Sequence, residues 1–267
     1  MKILYIGDIM GKAGRKTVQK LLPDLIMETG ADFVIAQGEN LSNGKGMQLT
    51  AITDMQAAGV DFFTGGNWTT KRPEVFPMLE DAKGPVTRPA NYPDSTTPGR
   101  RYKIAESPYG RILIVSLLGQ IVGAFPAVID NPLRVIDAIL EETKNEQLAA
   151  RVVNFHGDFS SEKLVIGHYL DGRVTAVIGD HWHIPTADAM VFAGGTAHIT
   201  DVGMVGSLDS CLGVKTDVIV KRWLSDQSSR NELEDGGRMQ LCAIVIDTDS
   251  STGLAKTVTQ IIKYAEQ

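Results

Sequence analysis

Seven side chains whose donor atoms suit a metal ion each stand just past an apolar, β-branched run. They are Asp8 after residues 2–7, Glu39 and Asn40 after 32–37, Asn67 after 60–64, His156 after 151–155, and His181 and His183 after 174–179. A mixed set of carboxylate, amide and imidazole suits Mn, Fe or Zn, and is harder than the thiolate sets of structural zinc. Seven donors exceed what one mononuclear catalytic site with an open position would use. Two metals sharing a bridging carboxylate, Asp8 or Glu39, would use them all. Taken singly, each residue has an ordinary explanation: a helix cap, a turn residue, a hydrogen-bonded buried imidazole. The joint pattern is what carries weight, because three of the five histidines fall at strand tips together with both acids. In His181-Trp182-His183, strand alternation would put both imidazoles on one side of an extended segment. Glycine (Gly7, Gly38, Gly66, Gly179) precedes the polar residue at four of the five tips, which permits tight turns and close backbone approach.

The elements that must position these residues alternate along the chain. Further strands are expected at 111–117, 196–200 and 241–247, and helices at 15–28, 49–58, 132–144 and 161–170. Asn131-Pro132 reads as an N-cap followed by proline at the first helical position. Ser160, with Glu162 in the first turn, opens the next helix in the same way. Such alternation implies a sheet with crossover helices, mostly parallel in the first half and with more antiparallel pairing in the second. In open α/β sheets ligands bind outside the carboxyl ends of the strands, so the tips should converge in one crevice. Residues 88–101, rich in proline and polar side chains, read as a rim loop. No linker or repeat divides the chain, so one domain over 1–267 is expected.

Composition excludes several functions. The 43% hydrophobic and 22% charged content is that of a globular protein with a full core. Two cysteines, Cys211 and Cys242, are too few for a disulfide framework and point to a reducing compartment. The apolar run at the N-terminus is too short for a signal peptide, and no stretch approaches the roughly 18 residues of a membrane span. A soluble cytoplasmic protein is therefore expected. The net charge of −6 argues against general nucleic-acid binding, while a small anionic substrate remains compatible. The glycine-rich stretch 7–14 is neither a G-x-x-x-x-G-K-[ST] nor a G-x-G-x-x-G loop, though it could aim backbone N–H groups at an anion. No G-x-S-x-G elbow is present. Arg72, Arg88, Arg100 and Arg101 are candidate phosphate contacts.

Gly7-Asp8, Gly38-Glu39-Asn40, Gly66-Asn67, Phe155-His156 and His181-x-His183 resemble the calcineurin-like metallophosphoesterases, and more closely their YmdB-like bacterial branch. The stretches 88–93, 97–100, 161–163, 169–173, 185–188 and 195–204 match this branch as well, so the resemblance covers nearly the whole chain. It implies an αββα sandwich of two mixed sheets flanked by helices. It also implies a dinuclear-metal-dependent phosphodiesterase acting on small phosphodiesters, with 2′,3′-cyclic nucleotides the best candidates, by attack of a metal-activated hydroxide. By position, Asp8, Glu39, Asn40 and His183 would bind one metal, and Glu39, Asn67, His156 and His181 the other, with Glu39 bridging. Fe or Mn is the first expectation for the metals, with Zn or Mg as alternatives. The family's Gly-Asn-His, whose histidine is the proton donor, is here Gly66-Asn67-Trp68. An indole N–H donates a hydrogen bond but is no proton-transfer acid near neutral pH. His198, where the family often has Tyr, is the alternative acid, and Asp180 stands where Thr is usual. A catalytically weak metal-binding regulator working through a protein partner is the second reading, and a homo-oligomer is left open.

Overall fold

The computed structural model describes residues 1–93, 97–121, 129–225 and 228–266. The first sheet is built on β1 (Lys2–Ile6), which pairs in parallel with β3 (Phe33–Gln37) and antiparallel with β12 (Arg238–Thr248). Beyond β3, β4 (Phe62–Thr64) continues the parallel run. Along its whole length β12 also pairs with β13 (Ala255–Glu266). The N-terminal part of β12 pairs with β11 (Met204–Ser207), and β11 pairs in turn with the two-residue strand β2 (Asp8–Ile9). The second sheet runs in the order β5 (Lys103–Ser107), β6 (Gly110–Leu118), β7 (Leu148–His156), β8 (Ala176–Asp180), β10 (Ala197–Ile199), β9 (Met190–Val191). Its four central strands are parallel, and the strand at each edge is antiparallel.

Alternation along the strands explains why the two sheets stack. On β1, Ile3 and Tyr5 point to one face, where they join Phe33, Ile35 and Ile244 and meet Ile114, Val152 and Ile178 of the second sheet. Leu4 and Ile6 point the other way, onto Val18, Leu22 and Leu25 of α1 (Gly11–Thr29) and Ile52 and Met55 of α2 (Leu49–Ala57). The short helix α3 (Phe76–Glu80) adds Leu79 to that outer layer. On the far side, Leu113, Val115, Val153 and Phe155 pack against Ile136 and Ile139 of α4 (Pro132–Glu142) and Ile166 of α5 (Ser160–Tyr169). The result is the expected αββα sandwich. Its central strands are covered on both faces and so read as near-continuous apolar runs.

Several details depart from the sequence reading. The second half does carry more antiparallel pairing, in β9–β10 and β11–β12–β13, but its β7, β8 and β10 continue the parallel run. Asn131 caps α4 as expected, its Oδ1 accepting from Leu133 N at 2.9 Å and Arg134 N at 3.4 Å. Ser160 does not cap α5. Phe159 holds the cap position without a side-chain bond, and Glu162 accepts instead from Gln120 N at 2.8 Å. The rim segment 88–101 is anchored by Arg88, which is 1% exposed and donates to Gly99 O (3.0 Å) and Pro89 O (2.8 Å); its centre, residues 94–96, lies outside the described residues. Elements not anticipated include β5, β11, β13 and α6 (Thr216–Ser225), a helix with no buried residue.

The cap on α4 gives a direct stability test. Asn131→Ala leaves two first-turn N–H groups without their acceptor, and is expected to lower unfolding free energy by about 1 kcal/mol in urea titration. An unchanged midpoint would show that water replaces the side chain at no cost.

Candidate metal centre at the strand tips

Each of the seven residues sits at or just past the carboxyl end of a strand in the two parallel runs. Two groupings result. In the first, three atoms converge on Nε2 of His156: Glu39 Oε1 at 3.0 Å, Asn67 Oδ1 at 3.1 Å and His181 Nδ1 at 2.9 Å. That nitrogen carries at most one hydrogen, so the arrangement holds more lone pairs than donors. Glu39, His156 and His181 alone place three ligand atoms within 4.8 Å of one another. In the second grouping, His183 Nε2 lies 3.8 Å from Asp8 Oδ1. Asp8 Oδ1 and Asn40 Oδ1 are both buried without a hydrogen-bond partner. Orphaned buried oxygens are costly unless something unshown satisfies them, and a cation does so directly. The donor set and its unmet lone pairs therefore fit divalent metal ions.

Local backbone geometry brings these side chains together. His181 and His183 have φ of 101° and 64°, conformations rare for residues with a Cβ. The segment after β8 is thus a left-handed turn and not the extended run expected from H-x-H spacing. Its two imidazoles go to different groupings, His181 toward His156 and His183 toward Asp8. Trp182 pins the turn from between them, donating its N–H to Asp201 Oδ2 (2.9 Å) and its indole N–H to Asp158 O (2.9 Å). Backbone strain of this kind persists where surrounding contacts over-determine it, often at functional sites. Gly66 is required for a second reason. A Cβ there would lie 2.3 Å from Glu39 Oε2 and 2.6 Å from His156 Nε2.

The hydrogen bonds around the centre come largely from residues that sequence spacing did not single out. Asp180 holds His156 and not the neighbouring His181: its Oδ1 lies 2.6 Å from His156 Nδ1, which commits Nε2 to face Glu39. Asp180 Oδ2 accepts from Tyr5 OH (3.0 Å), Gln37 Nε2 (2.9 Å) and Asn154 Nδ2 (2.5 Å). Gln37 also accepts from Glu39 N at 3.1 Å. Asp158 lies 3.0 Å from His181 Nε2, and Leu212 O faces His183 Nδ1 at 3.2 Å. Of these, Asp158 and Asp180 had a signal in sequence, each an acid within two residues of a tip histidine.

Charge follows the same geometry. Burial, reinforced by Asp180, pushes the Asp8 carboxyl well above the usual carboxylate range. Burial also penalises charge on Glu39 and Asp180, yet His156 outweighs it and lowers both. Burial disfavours a charged His156, but Glu39 and Asp180 together raise it well above an ordinary imidazole. Burial and then His156 bring His181 down to about 4, and burial lowers His183.

Other candidates fare differently. Trp68 reaches the centre through its backbone, N–H donating to Glu39 Oε2 at 2.9 Å, while its half-buried ring lies under Lys45 Nζ, 4.3 Å from the centroid. His198 is not brought to the centre. It is 1% exposed, stacked on Phe192 at 5.0 Å and packed under Gly167 of α5. Most of the glycine-rich stretch turns its backbone N–H groups inward: those of Gly7, Asp8, Met10 and Gly11 donate to the Cys242, Gly203, Val205 and Asn40 carbonyls. Arg88 is engaged by carbonyls, Arg100 donates to Glu80 O and Arg101 pairs with Glu142. Arg72, the fourth candidate, lines an open cleft.

A four-layer sandwich with imidazoles, carboxylates and amides gathered at its strand tips defines the metallophosphoesterase class. Within it, the chain belongs to the YmdB-like protein family, whose model matches residues 4–261. It is 34% identical over 262 residues to the 2′,3′-cyclic-nucleotide 2′-phosphodiesterase of Bacillus subtilis, covering 98% of this chain and 97% of that protein. Among solved structures, a novel phosphatase from Mycoplasma pneumoniae superposes with a TM-score of 0.91 at 28% identity, covering 100% of this chain and 94% of the other. A hypothetical protein from Thermus thermophilus superposes with a TM-score of 0.89 at 33% identity, with 99% of both chains covered. Membership of this family implies divalent metal ions.

Two outcomes are expected. Because His156 and Asp8 are both raised, the metal-free protein holds protons there that a cation must displace, so affinity should rise with pH. Calorimetric Mn titrations near neutrality, in two buffers of different ionisation enthalpy, should report release of about one proton or more per chain. Equal apparent enthalpies would contradict this. Gly66→Ala should cut bound metal at least tenfold by elemental analysis while circular dichroism stays native, since its methyl collides with Glu39 and His156.

Proposed function

We propose that this chain is a dinuclear-metal-dependent phosphodiesterase that hydrolyses 2′,3′-cyclic nucleotides, its catalytic domain spanning residues 1–267. The observation that carries the reading is the pair of neighbouring groupings with unmet lone pairs, one around His156 Nε2 and one around Asp8 Oδ1 and Asn40 Oδ1. The Bacillus subtilis relative, named for this reaction and similar along nearly the whole chain, supports the substrate class. Asp8, Glu39, Asn40 and His183 would hold one ion, and Glu39, Asn67, His156 and His181 the other, with Glu39 shared. Hard oxygen and imidazole donors favour Fe or Mn, with Zn or Mg as alternatives. Such ions supply a nucleophilic hydroxide at neutral pH and offset charge on the phosphoryl oxygens.

The chain's own residues set the geometry for that chemistry. Asp180 fixes the His156 tautomer by accepting from Nδ1, so that Nε2 presents a lone pair toward the substrate side. Trp68 N and the Gln37 side chain hold Glu39 from two directions, at 2.9 and 3.1 Å. Asp158 faces the outer nitrogen of His181 at 3.0 Å. The departing ribose oxygen must gain a proton, and the position that carries histidine in the family carries Trp68 here. The indole can donate a hydrogen bond to that oxygen but cannot deliver the proton. Water then serves as the proton source, and turnover is slow. The two free cysteines support a cytoplasmic setting. Among the described residues, no helix is long and apolar enough to cross a membrane.

The missing acid also gives the second reading its one supporting observation, a metal-binding regulator that works through a partner. Turnover separates the two. Mn-loaded wild type should hydrolyse 2′,3′-cyclic AMP slowly, and Trp68→His should raise kcat by roughly 10²-fold or more, the usual worth of a positioned acid. A fast wild type that the substitution leaves unchanged would remove Trp68 from the account. Absence of turnover in both proteins would transfer the case to the regulator.

A further inference from the structure

Next to the metal centre lies an open cleft of about 710 Å³. Lys12, Lys45, Lys71, Arg72 and Arg230 line it, and Asp235 is the only acid among its described lining residues. Five cations against one carboxylate is a steep local excess in a chain of net charge −6. Among the described residues, none of the five forms an ion pair; Arg72 is bonded to backbone carbonyls and Lys45 lies over an aromatic ring. Uncompensated cations facing one another repel, and a cleft that keeps them gains by taking up an anion.

Two loops connect the cleft to the centre. Asn40, at the centre, donates to Gly44 O at 2.9 Å, and the same loop supplies Lys45 to the cleft. Arg72 follows the Trp68 turn and donates to Lys45 O (3.0 Å) and Ser42 O (3.2 Å), tying the loops together. Trp68 stands at the junction, its backbone N–H on Glu39 and its ring under Lys45. A partly exposed aromatic face beside a cationic groove is the arrangement by which single-stranded nucleic acids are held, bases stacked and phosphates tracked by cations.

We infer that the cleft binds the phosphates preceding the cyclic end of a short oligonucleotide, so that the substrate is a strand terminus and not only a free mononucleotide. The inference rests on the phosphodiesterase reading. A cyclic mononucleotide has one phosphate, which the centre takes, and would leave the five cations uncompensated. A chain of two or three nucleotides places its further phosphates in the cleft and a base against Trp68. Strand ends of this kind arise when a ribose 2′-oxygen attacks the adjacent phosphodiester, forming the 2′-O–P bond as the 5′-oxygen leaves. A transesterifying RNA cleavage is therefore the class of reaction that would supply the substrate.

The test uses Mn-loaded protein and a 5′-fluorescein-labelled trinucleotide ending in a 3′-phosphate, which resists turnover, followed by anisotropy. It should bind at least tenfold tighter than competing 3′-AMP. For about three contacted phosphates its affinity should fall roughly 20-fold between about 50 and 200 mM salt. Lys71 and Arg230 are exposed and make no side-chain bond among the described residues, so the double variant Lys71→Ala/Arg230→Ala should fold normally. It should lose at least tenfold in trinucleotide affinity while 3′-AMP binding and 2′,3′-cyclic AMP turnover stay unchanged; Lys71→Glu should lose more. Equal binding of trinucleotide and 3′-AMP, or an equal loss for both, would overturn the inference. So would competition by inorganic pyrophosphate as strong as the trinucleotide's, which would assign the cleft to compact polyphosphates. Failure of 2′,3′-cyclic AMP turnover with trinucleotide discrimination intact would sink the phosphodiesterase reading and leave the cleft standing.

Discussion

One buried carboxylate joins most of the elements on which the site depends. Asp180, at the end of β8, accepts from Tyr5 on β1, from Gln37 on β3, and from both Asn154 and His156 on β7. Tyr5 OH lies in turn 2.7 Å from Thr64 Oγ1 on β4. Three strands of one sheet and two of the other are thus keyed to a single side chain between the layers. A charge this deep would be expelled or neutralised were its donors missing, so the network must be complete to exist at all. Completeness makes the sheets' relative placement specific where apolar packing alone would leave it adjustable. His156 is the buried member of this network that also reaches the candidate centre, so the register of the sandwich and the aim of a centre imidazole share one cause.

A second buried pair does for the turn after β8 what Asp180 does for the tip. Lys163 Nζ lies 2.8 Å from Asp201 Oδ2 and 2.7 Å from Asp180 O, and sits 4.0 Å from the Trp182 ring centroid. The same Asp201 oxygen accepts from Trp182 N. A buried ion pair is weak evidence for stability, since desolvation offsets much of the attraction. Its use here is positional. By fixing Trp182 it lets His181 and His183 occupy left-handed backbone conformations that neither would choose by itself, each imidazole aimed at a different grouping.

Sequence legibility follows from these causes. Apolar alternation fixes which residues enter the core, and glycine before a polar residue marks where a strand stops and a side chain is re-aimed. That Glu39, Asn67, His156 and His181 meet, and Asp8 and His183 beside them, was therefore readable, as was the Asn131 cap. Partnerships that close only in three dimensions were not. Asp180 sits beside His181 in sequence but serves His156, because the strand order puts β7 against β8. Arg88 looked like a phosphate contact and is a buried staple for its own loop. The strand β13 escaped notice because its alternation is between half-buried and exposed residues, which leaves no apolar run to detect. His198 shows the converse error: resemblance drew attention to a histidine that the fold stacks beneath α5.

Trp68 connects the two halves of the functional argument. The backbone of this residue belongs to the centre, since its N–H holds Glu39, and any residue but proline could make that contact. Metal retention is therefore compatible with a tryptophan at this position, while proton delivery by an indole is not. What the indole adds is a flat, half-buried surface against Lys45, one of the residues that line the cationic cleft. On the proposed reading, a stacking face where an acid would stand exchanges rate for hold on the substrate. Net charge misleads in such a protein: the chain as a whole carries −6, while five cations gather in one cleft beside the centre.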